Sequence, residues 1–501
     1  SDSLKLAIAL NPQYAEARFN LGLTLFDLGS LPEAVEMLDE AVKLKPNYTA
    51  AKAFSNHVRQ HMCDFTVYDR LREDALQLGI STEAISPFLG LSWSDNAEQQ
   101  LMRAKKYSND TFGRVSYTPI EHRPTAGERL RIGYFSADFH DFPGMYLMAG
   151  MLEHHDREQF EVFAFSYGPE KDDPMRHRIV SAVDHFIDIR NMPTNSVIEL
   201  CRTLGIDIAL HRNGHTKEAR TELFQQKVAP VQISYLGYPG TLGAEFIDYV
   251  VADSMVIPSS HRHYYSENVI YMPNSYQPND DARQISTVEC TRAENGLPNN
   301  AFVLCCFNQS YKISPREFTV WMRVMQAVDD SVLWLLSSNV WAERNLREQA
   351  AQSGIDPQRL IFAKRVPQAE HLARHRLADL FVDTFNYNAH TTASDALWAG
   401  LPLVTKAGEQ FAARVASSLL NAVGMEDLVA LDEEGYEKLI LDLITDRNQL
   451  QQLRSRLQKN ILSYPLFDTE RYTRQFETGL KLAYQRYQEG NPAADIFVEQ
   501  G

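Results

Sequence analysis

With 501 residues, 44% of them hydrophobic, the chain has enough apolar material for two or three domains, each with its own core. A formal net charge of −16 argues against general binding to nucleic acid or to an anionic membrane, so an anionic ligand must be held by a few local donors. No run of 18 apolar residues occurs, and Ser1-Asp2-Ser3 offers no basic start of a signal peptide. Five scattered cysteines (Cys63, Cys201, Cys290, Cys305 and Cys306) form no C-x-x-C pair. The expectation is a soluble protein of a reducing, cytoplasmic compartment without structural zinc.

The first segment carries a repeat. Pro12 and Pro46 stand 34 residues apart, as do Ala7 and Ala41. Leu21-Gly22, Leu25, Ala34, Leu38 and Ala41 fall between them at tetratricopeptide spacing. Small residues at Gly22, Ala34 and Ala41 let paired helices approach, and Asp27–Pro32 breaks one helix into the next, with Pro32 at its start. A single repeat cannot bury both faces and must pack on the next stretch of chain or on further repeats. Further irregular helices are expected, including Thr66–Leu78 and Asn96–Lys106, and Tyr117–Thr125 reads as an extended linker.

From Leu130 onward short apolar runs alternate with amphipathic segments. Arg131–Ser136, Glu161–Tyr167, Ile206–Leu210, Val231–Leu236 and Tyr249–Ala252 read as buried parallel strands. A second series lies at Phe302–Phe307, Val332–Leu336, Leu360–Ala363, Leu380–Val382 and Pro402–Thr405. Helical stretches such as Arg316–Ala327, Ala393–Ala399 and Arg414–Val423 separate them, so the fold class is α/β with two parallel sheets and a cleft between them.

Two segments carry the chemistry. Phe307-Asn308-Gln309-Ser310-Tyr311-Lys312 runs from a strand to the helix opened by Ser314-Pro315, which sets Lys312 where a point charge meets a phosphate. The alternative is a solvated loop lysine. In Asp383–Pro402 a strand ends, a polar loop comes next and a helix begins near Thr391, a ready diphosphate site with Asp395 one turn inside to accept from ribose hydroxyls. The alternative for Asp395 is stabilisation of its own first turn. Gly237–Gly243 is a glycine-spaced loop around Gly240 and Thr241, without the G-x-G-x-x-G or P-loop pattern. His215, in Asn213-Gly214-His215-Thr216-Lys217, offers an imidazole for proton handling, although a lone loop histidine is as a rule incidental. Asp248 and Asp253 read as strand-end architecture rather than a metal pair.

Taken together these segments resemble the O-GlcNAc transferases, bacterial homologues included, which join tetratricopeptide repeats to a GT-B region of two Rossmann-like domains. The resemblance covers nearly the whole chain, through Gly133–Phe139, Gly214–Thr216, Leu236–Thr241, Phe307–Ile313, His390–Gly400 and Ser463–Thr469. It implies an inverting transfer of GlcNAc from UDP-GlcNAc to Ser or Thr hydroxyls of proteins, with no metal and no cofactor. Acceptor proteins or peptides would be the partners, guided by the repeats, with neither nucleic acid nor membrane involved. Lys312 would neutralise the leaving phosphate, and Thr391 and Thr392 would bind the diphosphate beside His390. Asp395 would take the ribose, His371 and Arg374 would lie near the uracil, and the Val366 backbone would read the base edge. Gln309 and Tyr311 would line the junction of sugar and phosphates, and His215 is a candidate base. The organisation expected is 1–60 for the repeat helices, 61–125 for a helical connector and linker, and 126–290 for the first half. The UDP-binding half would span 291–465, and a C-terminal helix packing back on the first half, then a tail, 466–501.

Four positions depart from the family pattern. Phe142 stands where a histidine precedes proline, with His140 two residues earlier. His211-Arg212 replaces an acidic-apolar pair and is expected to add donors near the acceptor, and Gln368 replaces a ribose-contacting lysine. Another donor such as GDP-fucose, or a nucleotide-binding scaffold with little turnover, are the competing readings.

Overall fold

The computed structural model describes residues 2–113 and 129–500, so the linker expected at 117–125 lies outside the described residues. The N-terminal segment is a run of helices, Asp2–Leu10, Ala15–Asp27, Leu31–Leu44 and Thr49–His61. Gly22 is small for a reason: a Cβ there would stand 2.7 Å from Leu38 Cγ. Ala34, Leu38 and Ala41 are fully buried along the same seam. The repeat does not stand alone, because Trp341 of the C-terminal half packs against the cluster of Leu31, Ala34, Leu38 and Val58.

The connector is shorter than expected at its first helix and longer at its last. A 3₁₀ turn at Phe65–Val67 precedes Tyr68–Ala75, whereas Asn96 caps a helix that continues from Ala97 through Phe112. Buried Arg103 ties the two ends together by donating to the carbonyls of Leu78 (3.0 Å) and Ala75 (2.7 Å).

Beyond it lie strands β1 (Leu130–Ser136), β2 (Phe160–Ser166), β3 (His185–Asp188), β4 (Ile208–His211), β5 (Val231–Ser234), β6 (Tyr249–Asp253) and β7 (Asn268–Met272). The second series is β8 (Phe302–Cys306), β9 (Ser331–Leu336), β10 (Leu360–Ala363), β11 (Leu380–Val382), β12 (Leu403–Lys406) and β13 (Val429–Ala430), and β14 (Ile496–Phe497) closes the set. The first sheet has the order β14-β7-β6-β5-β4-β1-β2-β3 and the second β10-β9-β8-β11-β12-β13, every pair parallel. Both are therefore doubly wound, as expected, and β3, β7, β13 and β14 add to the expected strands. The strand β3 is a half-exposed edge, and β13 and β14 have two residues each, too short to leave a pattern.

The order reverses between β1 and β4 in the first sheet and between β8 and β11 in the second. Ligands of open α/β sheets bind outside the carboxyl ends of strands at such a switch point. The loops leaving β8 and β11 are the two motif segments read from the sequence. After them, the helix Thr469–Gln488 packs on the first sheet rather than the second. Glu477 accepts from His155 (3.0 Å), Tyr472 meets Tyr235 (2.8 Å), and Tyr484 donates to Asp207 (2.7 Å).

Candidate active site

At the switch point of the second sheet, Asp383 is the post around which both loops are built. Its Oδ1 accepts from the backbone of Ala389 (2.6 Å) and Thr384 (2.8 Å) and from Asn308 Nδ2 (3.2 Å), and its Oδ2 accepts from Thr405 (2.7 Å). Burial pushes its carboxyl up to about 6, against the pull of these donors. Asn308 donates in addition to Thr384 Oγ1 (2.8 Å) and takes the Thr392 hydroxyl on its Oδ1. The loops after β8 and β11 are thus stitched together before any ligand is considered.

Lys312 lies on a 3₁₀ turn, Ser310–Lys312, held against the helix opened by Ser314, whose side chain forms a capping box with Glu317. Its Nζ donates to the Asn388 carbonyl (2.9 Å) and lies 3.8 Å from the centroid of the Tyr387 ring. Burial pushes this ammonium down to about 7, with Asp383 pulling the other way. Among the described residues no carboxylate forms an ion pair with it, which leaves it a candidate to meet an anion.

The helix Thr391–Trp398 begins beside it. His390 is its N-cap residue and makes no side-chain cap bond; its Nε2 donates instead to the Ala412 carbonyl (3.0 Å). Burial, and then the neighbouring Lys312, hold its imidazole well below the usual range. The first-turn amides of this helix and half-buried Thr391 and Thr392 lie at the end of the loop that carries the Asn388 carbonyl bonded by Lys312, the kind of helix start that suits an anion.

Deeper in this helix, Asp395 is buried. Arg283 Nη1 donates to its Oδ1 at 2.7 Å and Gln368 Nε2 at 3.2 Å, and His371 Nε2 stands 3.7 Å from Oδ2. Arg374 donates to His371 Nδ1 (2.6 Å) and to the Lys364 carbonyl (2.5 Å), with its guanidinium over the Phe307 ring. Burial, with His375 and Arg374 adding to it, lowers His371 to about 2, so it is neutral at every working pH. Val366 is exposed at the rim before the helix Gln368–Arg374. Gln309 is half-buried, and Tyr311 packs among His57, His61, Phe88 and Tyr387. Gln309, Tyr311 and Lys312 thus follow β8, and His390, Thr391, Thr392 and Asp395 follow β11, while His371 and Arg374 reach them from the helix Gln368–Arg374 after edge strand β10.

The candidate residues of the first half lie on the loops after β4 and β5, bonded within those loops and to Glu267. Thr241 donates to buried Glu267 (2.6 Å), which also accepts the Leu242 amide, and the Gly240 amide donates to the Tyr238 carbonyl (3.1 Å). His215 is buried between the rings of Tyr107 and Tyr238, and its Nε2 meets the Leu242 carbonyl (2.9 Å). Burial lowers it to about 4, and any proton handling is left to Nδ1. Asp248 receives Lys227 (2.8 Å), and Asp253 receives Ser418 (2.6 Å) and three backbone amides, which makes both strand-end anchors.

The reading of His211 and Arg212 as extra donors near an acceptor is corrected by their burial. His211 ends β4 with Nε2 on Thr221 (2.9 Å) and its ring stacked on Phe224. Arg212 donates to Asp138 (3.1 Å), which also takes Asn213 Nδ2 (3.0 Å), and so braces the loop after β1. Phe142 is exposed on that loop, and His140 turns to its own chain at the Asp141 carbonyl (3.2 Å). Sequence reasoning assigned no role to Asp383, Asn308, Tyr387 or Arg283, because a buried polar residue in a loop declares its partners only when the strands are in order.

The model of glycosyl transferase family 41 matches residues 109–289 and 277–476. The chain is 36% identical over 400 residues to "Probable UDP-N-acetylglucosamine--peptide N-acetylglucosaminyltransferase SEC" of Arabidopsis thaliana, covering 78% of this chain and 41% of that one. It is 27% identical over 564 residues to the UDP-N-acetylglucosamine--peptide N-acetylglucosaminyltransferase of Caenorhabditis elegans, covering 87% and 49%. It thus spans less than half the length of these curated relatives. A solved mutant of the Thermobaculum terrenum O-GlcNAc transferase superposes with a TM-score of 0.83 at 24% identity, covering 98% of this chain and 94% of that one, which shows a shared fold. With two doubly wound sheets in this arrangement and the family model matched across both, the chain belongs to glycosyl transferase family 41.

Proposed function

We propose that the chain transfers GlcNAc from UDP-GlcNAc to Ser or Thr hydroxyls of proteins, with inversion and without a metal. The observation that carries this is Lys312: a lysine pushed down to about 7, beside an uncapped helix start, in a family whose curated members bear that activity in their names. A departing diphosphate gathers negative charge as the glycosidic bond breaks. Lys312 and the amides at Thr391 and Thr392 meet that charge from fixed positions, which is differential stabilisation of the transition state.

Asp395 takes the ribose, His371 and Arg374 the region of the uracil, and the Val366 backbone the base edge. Gln309, Tyr311 and His390 close the sugar-phosphate junction. Gly240 and Thr241 lie on the first-half side of the donor, with their loop fixed by Glu267. His215 holds the neighbouring loop and has only Nδ1 left for an acceptor proton. Acceptor proteins are the partners, and the helical segment guides them. The cytoplasm is the compartment we propose.

The test is a donor panel of UDP-GlcNAc, UDP-Glc, UDP-GalNAc and GDP-fucose, read as nucleotide release and label on protein acceptors. Turnover of UDP-GlcNAc above the others is expected. Turnover confined to GDP-fucose overturns the donor assignment, and UDP binding without any turnover favours the scaffold.

A further inference from the structure

Arg283 lies in the crossing between the two halves, away from the loops after β8 and β11. All three of its donor nitrogens are used: Nε on the Asp280 carbonyl (3.0 Å), Nη1 on Asp395 Oδ1 (2.7 Å) and Nη2 on Ser394 Oγ (3.2 Å). Its guanidinium is packed beside Trp398 and Phe467, and the Trp398 indole donates to the Arg283 carbonyl (3.2 Å). Asp280 is held in turn by Arg178 of the first half (3.2 Å), and the Asp281 amide donates to Thr469 (3.0 Å). A chain of fixed contacts therefore runs from the first half, through the crossing, to one oxygen of Asp395.

The two carboxylate oxygens of Asp395 are treated differently. Oδ1 receives Arg283 and Gln368. Oδ2 has no hydrogen bond among the described residues, with His371 Nε2 beyond bonding distance at 3.7 Å. A buried carboxylate with one oxygen saturated by a rigid guanidinium and the other unused is a preorganised acceptor for hydroxyl groups. Burial raises the Asp395 carboxyl above its usual range, and Arg283 pulls it back toward the charged, accepting form.

We propose that Arg283 is a positioning residue for the nucleotide ribose, fixing Asp395 through Oδ1 so that Oδ2 faces the ribose hydroxyls. This rests on the assignment of a UDP-sugar donor. The readout is discrimination between ribose and deoxyribose, which a merely structural residue would not alter. Affinities for UDP and 2′,3′-dideoxy-UDP are measured by calorimetry for wild type, Arg283→Met and Arg283→Lys, with thermal melts alongside. Wild type is expected to favour UDP by about tenfold or more, the scale of hydrogen bonds to a charged acceptor. Arg283→Met brings that ratio to about one, and Arg283→Lys, which keeps the charge but not the fork, falls in between. If Arg283→Met does not fold, the lowered ratio in Arg283→Lys carries the test. Equal loss of both ligands at an unchanged ratio overturns the positioning role alone. Wild type binding neither nucleotide overturns the donor assignment and the positioning role with it.

Discussion

Lys312 Nζ lies 3.8 Å from the centroid of the Tyr387 ring and 2.9 Å from the Asn388 carbonyl, on the same loop that ends at His390. Ring and carbonyl solvate the ammonium weakly and pair it with no anion. Burial lowers it to about 7, with Asp383 pulling the other way. This one relationship sets the first two expectations.

If the chain takes a UDP-sugar as proposed, UDP binding is expected to depend on pH with a defined sign. An anion at Nζ favours the protonated form and raises its value above about 7, so binding near pH 8 takes up a proton. Affinity therefore falls as pH rises through 7 and beyond. Calorimetry in buffers of different ionisation enthalpy is expected to report uptake approaching one proton in wild type and none in Lys312→Met.

The same lysine costs stability when no nucleotide is present. Its folded value lies below its unfolded value of 10.5, so the unfolded chain binds more protons between about 7 and 10.5. Stability then rises with pH across that window, and the penalty is complete below it. Lys312→Met is expected to melt a few degrees above wild type at pH 7, with the gap closing toward pH 10, although its turnover is expected to fall by about 10² or more.

Much of this site was legible in the sequence. Strand-to-helix transitions at Phe307–Ser314 and Asp383–Thr391 mark both loops, because apolar runs and an N-cap serine are local signals. Asp383 and Arg283 were not legible, since the bonds that tie them across the fold, to Asn308 and to Asp395, span 75 and 112 residues. His211 misled for the same reason. A polar residue at a strand end reads as exposed until Thr221 and Phe224 are seen to cover it.

Gly243 is where the first half meets the backbone of the connector helix Ala97–Phe112. Its φ is +63°, and an added Cβ would stand 2.4 Å from the backbone of Ala104. Gly243→Ala combines a left-handed backbone with a clash that no flexible side chain relieves. It is expected to destabilise by about 2 kcal/mol or more, read by denaturant unfolding. Protease sensitivity of the helix Ala97–Phe112 should rise in parallel, because Ser108 donates to the Leu242 carbonyl (2.6 Å) beside it.

His215 separates a structural anchor from a base. Its buried ring is neutral above about pH 4, and its Nε2 is committed to the Leu242 carbonyl. His215→Ala is expected to lower kcat less than about tenfold, below the usual scale for a general base, and to lower the melting temperature. A loss of about a thousandfold with an unchanged melt would instead assign the acceptor proton to Nδ1.

Initial rates of UDP release from UDP-GlcNAc, in the presence of acceptor protein, compare wild type with Lys312→Ala at saturating donor. The anion site formed by Lys312 and the Thr391 helix start predicts a fall in kcat of about 10² to 10³ or more, with UDP still bound by the rest of the site. Equal rates from the two proteins would contradict it.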